Sequence, residues 1–566
     1  MTAIESPISK VPQEVLRAIF AINGSYDELI AARQKGSIQE IEERVFNEPD
    51  TTHSVELSRF DRHPLTTIRR ASQVCQAWRY TILHYPGLWG GLIDVDFMAH
   101  PSVKTHHQLV WAEEVLRRAG NSSFTVVGGL IHGTMRYSDE SWTSLLSNLF
   151  AVHWRQIRHL NLDLRKSQRE LNFVNEAIST PAERLEYFSL TCSSDMGSAK
   201  KLFSNEAPSL RNFAYHGLGF DFNAPWTRQL QKLTLQLRAE DLKASKLSAF
   251  LNALSHMASL NSLEITNAIT ASELRGDVTS LPSITLPQLK HLSITHDIGI
   301  CNILLSRITP TPGRRNSVCA TMYQFDEATA LELAAQVSSY VGRCKYSFGP
   351  LVSIMLETWR FRFVNLNFEI IKRRSSYAAD MERFARVFLD IFVNGDFRLT
   401  TSLHFEIVGF QGVLTNAFTE SARRFIRKFQ SVKVLRTDAV AFSVVTGPDV
   451  VPGLEGHPRL LPRLQELRII GWWIDGGPFG RDFVDRFNSF YRRNYSDGCE
   501  RVRAFVLDLR VARVRDREAF DALKEAESIV VQYPQATAAE FSELTFLPSS
   551  FEKTESCRCV IAGQQC

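Results

Sequence analysis

The chain is short of every compact motif on which catalytic and nucleotide-binding sites are commonly built. It holds no Gly-x-x-x-x-Gly-Lys phosphate loop, no His-Glu-x-x-His pair and no Gly-x-Ser-x-Gly elbow. Its nine cysteines include no Cys-x-x-Cys pair, which argues against a structural zinc site and excludes a RING. Cys557-x-Cys559 with Cys566 lacks that spacing too. No apolar run approaches the ~20 residues needed to span a bilayer, and the first residues show no basic start followed by a long apolar stretch. Charge of one sign is also missing: 65 basic residues stand against 61 acidic, a formal net charge of +4. Phosphate backbones demand clustered Lys and Arg, so the short runs Lys372-Arg373-Arg374 and Arg314-Arg315 read as solvated surface. Cysteines scattered through apolar stretches, such as Cys192 and Cys301, read as reduced core thiols. The expectation is a cytoplasmic or nuclear binding protein with no membrane or nucleic-acid partner. No cofactor, metal or catalytic residue is expected, and an enzyme would rest on no motif.

What is present begins at the N-terminus. The segment Val11-Pro12-Gln13-Glu14-Val15-Leu16-Arg17-Ala18-Ile19-Phe20 predicts a helix opening at Pro12, with Glu14 favouring the dipole in its first turn. Val11, Val15, Ala18 and Ile22 share a stripe that Leu16, Ile19 and Phe20 widen. A second helix is predicted over 64–83, where Ile68, Ala71, Cys75, Trp78 and Ile82 alternate by three and four. Pro86-Gly87 then predicts a turn. The charged stretch between the helices reads as a surface insertion, either a long loop or two short helices. A module this small leaves apolar surface uncovered. Its stripe therefore either takes a partner or packs on the following domain.

From Pro101 the texture changes. Residues 103–119 predict a helix ended by Gly120 as its C′ residue. A strand is predicted over 124–127, then a helix over 139–152 with Leu145, Leu146 and Leu149 facing inward. A pattern apolar-x-x-apolar-x-apolar then recurs at Ile157/Leu160/Leu162, Leu185/Phe188/Leu190, Leu210/Phe213/Tyr215, Leu230/Leu233/Leu235, Leu260/Leu263/Ile265 and Leu289/Leu292/Ile294. The starts lie roughly 20–30 residues apart, the period of leucine-rich repeats. Looser copies stand at Phe361/Val364/Leu366, Val432/Leu435/Thr437, Leu464/Leu467/Ile469 and Val502/Phe505/Leu507. In each copy the first apolar residue is expected to close the turn entering a short strand, whose last two point inward. The clearest returning helix is predicted over 242–257, and one unit alone cannot cover its apolar face, so neighbours must stack. Between 300 and 359 the repeat is lost, with a strand at 319–325, a helix at 327–342 and a strand at 351–356 predicted instead.

The N-terminal residues, followed by Ser72-Gln73-Val74-Cys75-Gln76-Ala77-Trp78-Arg79 and by Pro86, Leu88 and Trp89, resemble the two halves of an F-box. With Val115-Leu116-Arg117-Arg118-Ala119-Gly120-Asn121-Ser122 they are similar to the F-box-like proteins of mushroom-forming basidiomycetes, whose box precedes degenerate leucine-rich repeats. Val11 stands where the family has Leu, and the insertion at about 23–63 is longer than a simple box carries. The resemblance implies an α/β fold: an N-terminal helical F-box over 1–98, an irregular leucine-rich-repeat-like solenoid over 99–545 and a polar tail over 546–566. It also implies the substrate-recognition subunit of an SCF-type ubiquitin ligase. Pro12, Val15, Leu16, Ile19, Val74, Trp78 and Arg79 would then meet a Skp-type adaptor and through it a cullin, while the repeats hold a target protein. The alternative is a repeat scaffold with no ubiquitin role.

Other candidates are fewer. Trp472-Trp473 leaves a predicted strand, and adjacent aromatics cannot both enter one core, so they either bind a target or divide between core and neighbouring repeat. His106-His107 point in different directions on a helix and read as surface or packing residues. Asp94-Val95-Asp96 reads as solvent-facing alternation on a strand.

Overall fold

Two rules of local chemistry recur among the described residues, helix capping in the N-terminal helices and turn closure in the repeats. The computed structural model describes residues 11–23, 63–98, 105–128, 140–164, 172–191, 201–216, 221–236, 244–266, 280–309, 315–322, 325–343, 348–372, 378–408, 410, 414–446, 461–470, 504–508 and 529–532. Among them are fourteen helices and nineteen strands, a mixed α/β architecture in which parallel pairing dominates. They fall into two compact units: Met1–Asp241 with His256–Leu260, and Leu242–Ser255 with Asn261–Phe546.

In the first unit, α1 (Gln13–Asn23) follows Pro12, whose carbonyl accepts from the Leu16 N–H at 3.1 Å. The helix predicted over 64–83 is two helices, α2 (Pro64–Ala71) and α3 (Gln76–Leu83). The chain breaks between them because Ser72 Oγ turns back to the Arg69 carbonyl and Cys75 takes an extended conformation. Cys75 therefore serves as an N-cap, its Sγ accepting from the Trp78 N–H, and does not lie on an apolar stripe. The turn predicted at Pro86-Gly87 is the start of α4 (Pro86–Gly90), with Pro86 in the first turn where its missing N–H is harmless. The Trp89 indole N–H donates to the Ile82 carbonyl at 2.8 Å and ties α4 to α3.

A two-residue strand β1 (Ile93–Asp94) leads into α5 (Val95–Met98), α6 (Thr105–Ala119) and β2 (Phe124–Gly128). Gly120, at φ 51°, ends α6 in the left-handed region as its position predicts. After α7 (Glu140–His153) come β3 (Ile157–Asp163), α8 (Asn172–Ile178), β4 (Tyr187–Thr191), β5 (Asn212–His216) and β6 (Lys232–Gln236). Strands β1 to β6 pair in chain order and all in parallel.

The repeat positions meet in register. Leu160, Phe188, Phe213 and Leu233 are successive partners, as are Leu162, Leu190, Tyr215 and Leu235. All eight are buried. The first apolar residue of each copy closes a turn through its N–H: Leu185 to Ala182, Leu210 to Ala207, Leu230 to Thr227, Leu260 to Met257 and Leu289 to Leu286, at 3.1–3.3 Å. Beside these strands Phe188 stacks on Phe213 at 5.5 Å, and Phe203 and Trp226 meet edge to face at 5.4 Å.

The second unit begins with α9 (Ala244–Ser255), β7 (Ser262–Thr266), β8 (Ile284–Thr285) and β9 (His291–Asp297). Next are α10 (Ile298–Arg307), β10 (Ile308–Thr309), β11 (Arg315–Met322), α11 (Glu327–Arg343) and β12 (Leu351–Glu357). Then β13 (Arg360–Phe363), β14 (Phe368–Lys372), α12 (Ala378–Phe392), β15 (Ser402–Val408), α13 (Asn416–Ile426), β16 (Val434–Asp438), α14 (Ala439–Thr446), β17 (Glu466–Ile470), β18 (Ala504–Asp508) and β19 (Ile529–Gln532) complete it.

Where the sequence repeat is lost, β13 and β14 stand between β11 and β12, with β13 antiparallel to both its neighbours. The copy read at Phe361/Val364/Leu366 is thereby corrected. Phe361 and Phe363 alternate inward on β13, and Val364–Leu366 is a 3-10 turn that Asn367 ends at φ 45°. Parallel pairing resumes from β12 through β15, β16, β17 and β18 to β19. Thr437, polar at an apolar repeat position, is buried and donates its hydroxyl to the Phe405 carbonyl at 2.8 Å. Asp297 and Asp438 cap the helices that follow their strands.

Candidate docking surface on the N-terminal helices

The helix α1 is apolar along two separate stripes. At 100° per residue, Leu16 and Phe20 point about 110° away from Val15, Ile19 and Ile22. Leu16 and Phe20 are 6% and 1% exposed and pack within the module, Phe20 meeting the Trp78 ring edge to face at 5.1 Å. Val15, Ile19 and Ile22 are 46%, 40% and 75% exposed. A surface helix that belongs only to its own domain needs one apolar stripe. This one carries a second that is exposed among the described residues.

The seven residues expected at an adaptor interface divide accordingly. Pro12 is exposed just before α1, Val15 and Ile19 are exposed on it, Val74 is exposed in the turn between α2 and α3, and Arg79 is exposed with its Nε donating to the Ser72 carbonyl at 3.1 Å. Leu16 is placed differently from the expectation: it faces inward, because the α-helical period carries it to the Phe20 side. Trp78 is half-buried against Phe20, and its indole nitrogen has no hydrogen-bond partner among the described residues. Trp472, Trp473 and the cysteines at 557, 559 and 566 lie outside the described residues. His106 and His107 are on α6.

Asp94-Val95-Asp96 is not a solvent-facing alternation. All three residues are buried, Asp94 ending β1 and Asp96 lying in α5. Asp94 Oδ2 accepts from His63 Nε2 at 3.1 Å, and its Oδ1 accepts from the Phe97 N–H at 3.1 Å. His63 Nδ1 in turn accepts from the Leu65 N–H, capping α2, and its ring stacks on Phe97 at 3.7 Å. The neutral imidazole protonated on Nε2 satisfies both bonds at once. Sequence reasoning missed this anchor; the available signal was a histidine one residue before a helix-opening proline, where a capping acceptor belongs.

Among the described residues no helix is long and apolar enough to cross a membrane, and no three metal-ligating side chains gather at one point. No protein-family profile and no curated protein sequence matches this chain.

Proposed function

We propose that the chain is a substrate-recognition subunit of an SCF-type ubiquitin ligase. In this reading α1 to α4 form an F-box that docks on a Skp-type adaptor, and the stacked strands are a leucine-rich-repeat-like solenoid that holds a target protein. The observation that carries the proposal is the stripe of Val15, Ile19 and Ile22, exposed among the described residues, on a helix whose other stripe is already packed. The F-box-like signature around Pro12, Cys75 and Trp89 supports the choice of partner, and the in-register repeat supports the target-binding part.

Magnitudes are adequate for docking. Removing the exposed parts of the three side chains from water contributes on the order of 3 kcal/mol, about a hundredfold in affinity. The test is co-purification of the full chain with a Skp-type adaptor, beside an Ile19→Asp/Ile22→Asp variant. Stable capture by the wild type, weakened at least about a hundredfold in the variant, is expected. A folded wild-type protein that ignores the adaptor would remove the ubiquitin role and leave a scaffold.

A further inference from the structure

A parallel ladder has to end, and its last strand offers unpaired N–H and C=O groups to any other extended chain. In the first unit that strand is β1, which among the described residues pairs with β2 alone, Ile93 against Val126 and Asp94 against Val127. It is two residues long, against five to seven in β2 to β6. Shortness is one means by which edge strands are blunted. The donors around β1 are also taken within the same segment. The Leu92 N–H goes to the Trp89 carbonyl at 3.1 Å, the Asp94 N–H to the Leu92 carbonyl at 3.2 Å, and the Phe97 N–H to the Asp94 carboxylate at 3.1 Å.

The cover over this end is apolar and tightly placed. Leu92, Ile93, Val95 and Met98 are buried, as are Phe124 and Val126 of β2. A Cβ built on Gly128 would lie 3.0 Å from Val95 Cβ and 3.2 Å from Leu162 Cδ2, so α5 reaches the end of β2 as closely as β3 does. Three contacts distant along the chain fasten the cover. Beside the His63–Asp94 bond, Ser122 Oγ donates to the Pro86 carbonyl at 3.1 Å and the Arg118 guanidinium lies 5.0 Å over the Trp89 ring. Stacked units require such a terminal element, because the last of them has no neighbour to cover its outer face.

We propose that the segment from α2 to α5 has a second role as the cap of the ladder, closing its first edge against strand pairing by a second copy of this chain. The inference is independent of adaptor docking, which uses the exposed stripe of α1, and it holds equally for a scaffold with no ubiquitin role.

The test uses the full chain, with hydrogen exchange read by mass spectrometry and light scattering on the same samples. In the wild type, residues 92–98 and 124–128 are expected to share one opening, with protection agreeing within about 10-fold. Ile93→Asp puts a charge at a buried edge position. It is expected to deprotect 124–128 by at least about 10-fold and to give a mass that grows with concentration beyond that of the wild type. Asp94→Ala is milder and is expected to deprotect 92–98 and 124–128 together, by about 10-fold, the scale of one lost buried hydrogen bond. It decides alone if circular dichroism shows that Ile93→Asp unfolds the unit. Residues 92–98 exchanging about 100-fold faster than 124–128 in the wild type, or deprotection of 92–98 alone in Asp94→Ala, would overturn the cap. So would a folded Ile93→Asp variant with 124–128 deprotected and its mass unchanged.

Discussion

His63 and Asp94 are separated by 31 residues and joined by a hydrogen bond of 3.1 Å between buried side chains. Through it the residue that caps α2 is fastened to the strand that opens the first parallel ladder. Asp94→Ala removes the acceptor from a buried imidazole N–H, a loss of about 1–3 kcal/mol. Urea denaturation of the wild type and the variant measures it. A midpoint unchanged by the substitution would show that the pair contributes nothing.

The two stripes of α1 predict opposite phenotypes. Phe20→Ala empties a core position beside Trp78 and destabilises the first unit by about 3–5 kcal/mol. Ile22→Asp changes an exposed position and shifts stability by no more than about 0.5 kcal/mol. Near-UV circular dichroism melts of both variants discriminate, and equal losses would contradict the assignment of faces.

Gly90 is required by close approach. A Cβ built there meets Ser122 Oγ and lies 2.5 Å from the Ser123 carbonyl oxygen, which is backbone and cannot swing aside. Gly90→Ala therefore forces α4 away from the segment that follows α6, at about 1–3 kcal/mol. Gly120→Ala has open space for its methyl, yet is strained by the positive φ alone. A Gly90→Ala variant that melts with the wild type would refute the contact.

Acid weakens the second unit through two histidines. Burial lowers His296 from 6.5 to about 4, and burial with the Arg436 and Arg468 charges lowers His404 likewise. Below pH 6.5 the unfolded chain binds protons that the folded one refuses, so their contribution is full above 6.5 and lost as pH falls towards 4. For His296 the loss is on the order of 3 kcal/mol. Asp438 works in the opposite sense: burial raises it to about 7, so its contribution is present at low pH and lost as pH rises from about 4 to 7. His296→Leu is expected to flatten the stability profile between pH 4 and 6.5, measured by denaturant unfolding at each pH. An unchanged slope would overturn this.

Thiol reactivity follows burial. Cys75 is exposed, whereas Cys301 is buried and burial pushes its thiol well up. Iodoacetamide at pH 8 should label the Cys75 peptide quickly and the Cys301 peptide only on unfolding, as read by mass spectrometry. Equal rates in the native protein would refute the placement.

Much of the fold was legible in the residues because its determinants are local. The spacing Leu-x-x-Phe-x-Leu at 185–190 already contains the turn-closing N–H and the two inward side chains of β4, and Gly120 already marks the end of α6. The candidate site was legible in part. Apolar periodicity marks Val15, Leu16, Ile19, Phe20 and Ile22 alike as helical and greasy, without saying which of them another helix covers.

The order of strands and turns from β3 to β7 was therefore written in the sequence alone, since each follows from contacts a few residues long. Tertiary structure decided that Leu16 turns inward while Ile19 does not, and that Cys75 caps a second helix. It also buried Asp94 against His63 and lodged β13 and β14 between β11 and β12. Each of these depends on a partner distant along the chain, and burial of a side chain is set by what arrives beside it.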